Sequence, residues 1–358
     1  MQALKDFVNF LCSPVVLFSV ATISLVLAIR FRGFLTRPKV ALSIFLFSVV
    51  FLVWAFTDAN FRAIGLKPDN VPILGLAYLV GFFTWLAMRQ AVLNDKRMEA
   101  GGSPREAEGK EQIHTWPDLV YIELICLIGV MALLLVWSIF LKAPLEQPAD
   151  PTTSPNPAKA PWYFLGLQEM LVYFDPWLAG VLLPGLIVTG LILMPFIDRS
   201  PKGSGYYSFN DRKNGITVFL FGFLVLWVML IVVGTFLRGP NWNFFGPFDF
   251  WDVHKLPVLV NVNLSEFIYV KLLGQAIPAN WLLREIWGIL FVVLYIFVIP
   301  PVLAKTWLKN LYRNLGSTRY MLLMFHLLMM MSLPIKMYLR WIFNLKYIVA
   351  IPEYFFNI

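Results

Sequence analysis

Eight predominantly apolar stretches recur along the chain, roughly Pro14–Ile29, Val40–Thr57, Val71–Val92, Leu119–Leu141, Trp177–Ile197, Ile216–Leu237, Ile286–Leu303 and Tyr320–Ile342. A helix rises about 1.5 Å per residue, so about 20 such residues cross the roughly 30 Å of hydrocarbon in a bilayer. The fold class read from this pattern is all-α, a polytopic transmembrane helix bundle of about eight spans. Composition agrees. The chain is 59% apolar and 14% charged, against about 45–50% and about 25% in soluble domains, which excludes a cytosolic enzyme, a secreted disulfide scaffold and a disordered chain. Cys12 and Cys126 stand far apart in apolar sequence and form no CxxC or haem-attachment pattern.

The net charge of +8 does not point to nucleic acid, because the basic residues sit at the ends of apolar runs, where membrane topology accounts for them. Four connecting loops carry four Lys or Arg each, among them Lys96, Arg97, Arg105 and Lys110, then Arg199, Lys202, Arg212 and Lys213. The intervening segments are poorer for their length; Ala143–Pro176 has Lys159 alone. Cytoplasmic loops collect Lys and Arg, which puts these four inside and both termini outside. The tail charges Lys336, Arg340 and Lys346 fit this less well, so a re-entrant or interfacial last segment stays open. The inner stretch Asn94–Gln112 reads as a linker. The expected organisation is a three-span module over 1–93, a cytoplasmic linker over 94–115, a main domain over 116–308 and an extra helix and tail over 309–358.

Two outer segments stand apart. Pro144–Pro161 holds six prolines in 18 residues and reads as a stiff connector. It runs into WYFLGLQEMLVYF, an aromatic stretch suited to a short helix at membrane depth. The other, FLRGPNWNFFGPFDFWD, suits an interfacial aromatic belt. His114, His254 and His326 are the only histidines; two haems held by paired imidazoles need four, so no bis-histidine haem is expected in this chain. No nucleotide loop, serine-hydrolase or zinc-protease motif occurs, GSG at Gly203–Gly205 being too short to cradle a phosphate. Metal ligands are not expected. Ionisable groups at membrane depth tend to be functional, and Glu169, flanked by Trp162, Tyr163, Phe164, Tyr173 and Phe174, is the most notable.

Read in order, the fourth span, NPAKAPWYFLGLQEMLVYF, DPWLAGVLLPGLIVTGLILMPFID, a basic loop and ITVFLFGFLVLWVMLIVVGTF resemble the C-terminal half of cytochrome b, in the form where that half is a separate subunit. The resemblance covers roughly Trp116–Phe236. Its hallmark Pro-Glu-Trp-Tyr aligns with Ala160-Pro161-Trp162-Tyr163, so Trp162 and Tyr163 match while the proline and glutamate are replaced. The resemblance implies a membrane subunit of a quinol–cytochrome c oxidoreductase of the cytochrome bc type, in a bacterial inner membrane. Its partners would be a haem-bearing N-terminal cytochrome b subunit, a Rieske iron–sulfur protein, a c-type cytochrome and lipid. The substrate would be a quinol, with menaquinol favoured by the altered motif. Pro161, Trp162, Tyr163 and Phe164 would then line the outer quinol site. Pro161 cannot accept a proton, and Glu169, sharing a helical face with Trp162, is the substitute base. A structural anchor with a degenerate site and an ion-translocating subunit are the alternatives.

Overall fold

The computed structural model describes residues 1–109, 113–141, 148, 150–152, 154–199, 205–256 and 260–358. Lys110, Lys202, Gly203 and part of the proline-rich connector lie outside the described residues. The chain is 73% helical with almost no strand, and the all-α polytopic bundle stands. Among the described residues, seven helices are long and apolar enough to cross a membrane: α3 (Pro38–Ala55), α4 (Val71–Glu99), α5 (Thr115–Phe140), α7 (Leu178–Ile197), α8 (Phe209–Leu237), α9 (Trp281–Lys305) and α10 (Ser317–Phe343). An eighth passes the same test only as a pair, α1 (Gln2–Leu11) and α2 (Pro14–Arg30), bent by 75° where they meet. The short α6 (Leu165–Met170) lies between α5 and α7. Local chemistry sets the boundaries. Pro38 and Pro72 sit in the first turns of α3 and α4, where their missing N–H groups cost nothing. Asn344 closes α10 in the left-handed conformation at φ 54°.

The helices form two compact units, and these cut across the boundaries read from the sequence. One comprises Met1–Val26, Asn156–Pro201 and Thr217–Ile358; the other comprises Leu27–Pro155 and Lys202–Ile216. In the first, α2 packs on α10: the Phe18 ring meets Tyr338 at 5.5 Å, and the Ser19 and Tyr338 hydroxyls are 2.7 Å apart. Asn9 reaches the 246–249 turn, donating to Asp249 at 2.7 Å and accepting from the Phe248 N–H at 3.0 Å. The core of this unit includes Met170, Tyr173, Phe174, Leu230, Val233 and Met337.

The last helix runs antiparallel along α7. At one end Arg319 donates to the Phe196 carbonyl at 2.7 Å; beyond the other, the Tyr347 hydroxyl donates to Asp175 at 3.2 Å. Its 27 residues are continuous, so the re-entrant alternative gives way to a full-length helix. Lys336 misled the charge count because it is a core residue rather than a loop residue, 1% exposed against the Phe174 and Tyr347 rings. The tail returns over the bundle. Lys346 N–H bonds the Val262 carbonyl, and a hairpin of Ala350–Ile351 and Phe356–Asn357 meets α9 where Gly288 leaves no room for a side chain. Both terminal segments thus lie at the end of this unit that carries residues 246–249 and 262–264.

In the second unit the expected linker begins as helix. Asn94 and Asp95 lie within α4 and are buried. Asn94 donates to Glu106 at 2.6 Å and to the Tyr207 carbonyl at 2.8 Å, while Asp95 accepts from the Ser208 hydroxyl at 2.9 Å and the Asn210 N–H at 3.3 Å. A carboxylate placed there suits the start of α8, where N–H groups lack partners. Trp85 and Arg89 both donate to the Thr36 carbonyl, fastening α4 to the turn before α3. No residue of α5's apolar stretch is buried within the chain, and Glu123 on it is exposed.

Candidate functional site

The Ala158–Phe174 stretch is built on α8. Pro161, with ψ near 146°, turns the connector into a single tight turn over Trp162–Phe164, and α6 follows. Gln168 on α6 reaches back to pin the lead-in, its amide oxygen accepting from the Ala160 N–H and its amide nitrogen donating to the Ala158 carbonyl, both at 2.8 Å. Helix α6 lies close on α8 because two glycines permit it. A Cβ on Gly166 would meet Ile231 at 3.4 Å, and one on Gly234 would meet the Leu165 backbone oxygen at 3.3 Å.

The aromatic residues form an exposed ledge. Trp162, Tyr163 and Phe164 remain 41%, 52% and 51% exposed, with successive rings edge to face at 5.6 and 5.7 Å and Tyr163 against Trp227 of α8 at 5.6 Å. Beside them is a shallow recess lined by Ala158, Lys159, Ala160, Phe164, Leu167 and Gln168, among others. Of the residues chosen from sequence, Phe164 lines that recess. Pro161, Trp162 and Tyr163 are exposed next to it.

Glu169 is elsewhere. It is fully buried, and four donors converge on its carboxylate. Arg238 gives Nε at 2.9 Å and Nη2 at 2.5 Å, Tyr173 gives its hydroxyl at 3.1 Å and Trp242 its indole N–H at 3.2 Å. This two-pronged guanidinium contact is the strong form of the ion pair. Burial opposes the Arg238 charge, and the facing carboxylate more than restores it, so its pKa rises. Burial, then the Glu169 charge, hold the Tyr173 phenol well above its ordinary range, so it stays a donor. With both oxygens committed, Glu169 is a counterion to Arg238 and does not face the recess. The expectation that it shares a face with Trp162 assumed one regular helix. The tight turn at Trp162–Phe164 advances by about 120° per residue instead of about 100°, which rotates Trp162 out of register while Glu169 turns into the core.

Sequence reasoning missed Arg238, Gln168 and Lys159. A signal for the first existed: Arg238 is the single charge ending an apolar run, and Glu169 is the single charge in an aromatic one. Two isolated opposite charges at membrane depth are mutual candidates. The histidines build no axial pair. His326 has one ring nitrogen 2.8 Å from the Leu322 carbonyl and the other 3.1 Å from the Thr189 hydroxyl, and among the described residues no group of three or more His, Cys, Asp or Glu gathers to hold a metal. Three histidines are too few for two bis-histidine haems, and His326 has both ring nitrogens beside protein oxygens.

No solved structure matches the chain. A family model does, over residues 148–248, which include the connector's end, the ledge, Glu169, α7, α8 and Arg238. Its description is cytochrome b (C-terminal)/b6/petD, so this portion of the chain is similar to the C-terminal, subunit IV-like region of cytochrome b.

Proposed function

We propose that the chain is a membrane subunit of a respiratory quinol–cytochrome c oxidoreductase and forms part of the wall of its outer quinol-oxidation site. The observation that carries this reading is the aromatic ledge itself. Trp162 and Tyr163, which match the family's hallmark, stand exposed on the edge of an apolar recess within the matched region. Quinol oxidation needs a slot for a flat apolar ring, a polar group to orient its oxygens and a route for two protons. Phe164, Leu167 and Leu171 offer apolar contact, and the Gln168 amide supplies polarity at the recess wall. The chain works with partners and not alone. A haem-bearing N-terminal cytochrome b subunit, a Rieske iron–sulfur protein and a c-type cytochrome take the electrons. The protons leave on the outer side of a bacterial inner membrane, which couples oxidation to proton translocation. Menaquinol is the preferred substrate class, because a motif without its glutamate suits a more readily oxidised quinol.

A second reading, a structural anchor subunit with a degenerate site, is favoured by Pro161 in the glutamate position and by the commitment of Glu169 to Arg238. One experiment separates them. The complex purified through a tag on this chain is assayed for reduction of cytochrome c by a menaquinol analogue, with Tyr163→Ala beside the wild type. Turnover in the wild type and a loss of about tenfold or more in the variant at unchanged haem content support the site. Equal turnover in both supports the anchor.

A further inference from the structure

The polar and apolar residues of α1 are cleanly separated. At about 100° per residue, Gln2, Lys5, Asp6 and Asn9 fall within an arc of about 100°, and Ala3, Leu4, Phe7, Val8, Phe10 and Leu11 fill the other side. Packing against the rest of its unit takes part of the polar arc. Asn9 donates to Asp249 at 2.7 Å and accepts from the Phe248 N–H at 3.0 Å, and the Lys5 ammonium lies 5.9 Å from the centre of the Phe248 ring. Gly246 makes this approach possible, since a Cβ there would lie 2.5 Å from the Asn9 side chain. What is left outside has two edges. Gln2 and Asp6 are exposed and hydrogen-bonded to each other at 2.8 Å; Leu4, Phe7 and Phe10 are 48%, 55% and 61% exposed.

The direction of α1 says what covers the apolar edge. Its 10 residues make a helix about 15 Å long, half the thickness of the hydrocarbon. Because it meets α2 at 75°, it advances only about 4 Å along the α2 axis, too little to add to a span. The 17 residues of α2 reach the lower end of what a crossing helix needs. After Cys12 and Ser13 the exposed apolar surface resumes on α2 with Val20, Ile23 and Val26, the kind of surface that acyl chains cover. A short helix lying across a span, with one exposed edge polar and the other apolar, suits the boundary between headgroups and acyl chains.

We infer that α1 lies in the bilayer interface, with Leu4, Phe7 and Phe10 among the upper acyl chains and the Gln2–Asp6 edge toward water, and that it moors the 246–249 turn there. That turn is tied to the end of α8. The Phe245 N–H bonds the Leu237 carbonyl at 2.9 Å and the Gly239 N–H bonds the Asn243 carbonyl at 3.0 Å, on either side of Arg238 and Trp242, which donate to Glu169. The lipid contact of α1 thus sets the depth of the loop that holds α6. Nothing in this arrangement depends on a quinol.

Spin labels test the position of α1. They are placed one at a time by cysteine substitution at the exposed Gln2, Ala3, Leu4, Asp6, Phe7 and Phe10, in the full chain carrying Cys12→Ala and Cys126→Ala and reconstituted in phosphatidylcholine–phosphatidylglycerol vesicles. Access to oxygen, which enters lipid, is compared with access to a water-soluble nickel chelate. Labels at Leu4, Phe7 and Phe10 should favour oxygen about threefold or more over those at Gln2 and Asp6, with no drift in depth along the helix. Steady deepening through all six positions makes α1 the upper part of a broken span. Equal nickel access at all six leaves it in water, and Leu4, Phe7 and Phe10 positions closed to both reagents mean that a protein covers them; each of these overturns the inference. Amide exchange at Phe248 tests the mooring. Phe7→Ser with Phe10→Ser removes apolar surface from the lipid side and keeps Asn9, so exchange at Phe248 should quicken about fivefold or more while the interior of α2 stays as in the wild type. Unchanged exchange at Phe248, or an equal rise throughout α2, overturns the mooring.

Discussion

Replacing Glu169 by Gln separates a structural carboxylate from a catalytic one. In the native arrangement one carboxylate oxygen receives Arg238 Nε and the Trp242 indole, and the other receives Arg238 Nη2 and the Tyr173 hydroxyl. A glutamine keeps only one acceptor oxygen. With that oxygen facing Arg238 Nε and Trp242, the amide nitrogen faces Arg238 Nη2, donor against donor. Tyr173 can rotate its hydroxyl to accept; a guanidinium cannot. The variant therefore leaves Arg238, whose side chain is 10% exposed, charged and without its counterion. Removing one partner of a buried ion pair costs about 3–5 kcal/mol. At roughly 2 °C per kcal/mol for a large domain, thermal unfolding of the purified complex should drop by on the order of 5–10 °C. Glu169→Leu combined with Arg238→Met removes both charges and should recover most of that loss, and the difference in a double-mutant cycle measures the coupling. Turnover per assembled complex should stay near wild type. If Glu169→Gln instead keeps wild-type stability while turnover falls by about 10²–10⁴-fold and the acidic limb of the pH–rate profile moves, Glu169 is the proton acceptor and the counterion argument is refuted.

Three further outcomes follow from other packed sites. Lys336→Met should raise the unfolding temperature, because an amine 1% exposed with no hydrogen-bond partner among the described residues gives way to an apolar chain of similar length; the gain should be about 1–2 kcal/mol after the loss of its aromatic contacts. Gly288→Ala places a Cβ 2.1 Å from the Ile348 carbonyl oxygen, so the 344–358 tail should detach and become open to limited proteolysis while the spans remain folded. Glu353 accepts from Arg284 at 2.9 and 3.1 Å, and that hydrogen bond, followed by one from its own backbone, holds its pKa below the ordinary carboxylate value. A lowered folded-state pKa contributes stability above the ordinary carboxylate value that is lost as pH falls through the lowered one. Protection of the hairpin amides, taken relative to the intrinsic exchange rate at each pH, should therefore hold above the ordinary carboxylate range and fall as pH drops through the lowered value, and protection that does not change across that range would refute the tether.

The spans were legible because hydropathy over 20 residues is a strong local signal, and α3–α5 and α7–α10 lie where it puts them. What escaped was non-local. Glu169 and Arg238 are 69 residues apart, so no periodicity within the aromatic stretch reveals that the carboxylate is already paired. Lys336 looked like a loop charge because it falls near the end of an apolar run; only the return of the tail, which brings Tyr347 over it, makes it a core residue. The linker reading of Asn94–Gln112 failed at its start, because polar composition there reflects hydrogen bonds to 105–106 and 207–210 rather than solvation. The bend between α1 and α2 was missed because Met1–Phe10 is amphipathic and too short to count as a span. The ledge was found by resemblance alone, and the residues that hold it were not, since the family motif marks the exposed face and not its support.

That support explains why an altered motif can still present a defined surface. Between membrane helices the hydrophobic effect gives little preference among partners, so close contacts at small residues and polar ties must set the arrangement. The aromatic stretch has one of the first kind and three of the second. Gly166 and Gly234 let α6 lie against α8, the Glu169–Arg238 pair locks α6 to the residue that follows α8, Gln168 holds Ala158 and Ala160, and Lys159 holds the end of α8 through Thr235. Of these, the ion pair is the only tie that joins α6 to a charged side chain enclosed by the protein, so it carries the greatest penalty for misplacement. With four donors on its two oxygens, the Glu169 carboxylate ties α6 to Arg238 just past the end of α8 and so holds the support of the ledge in place.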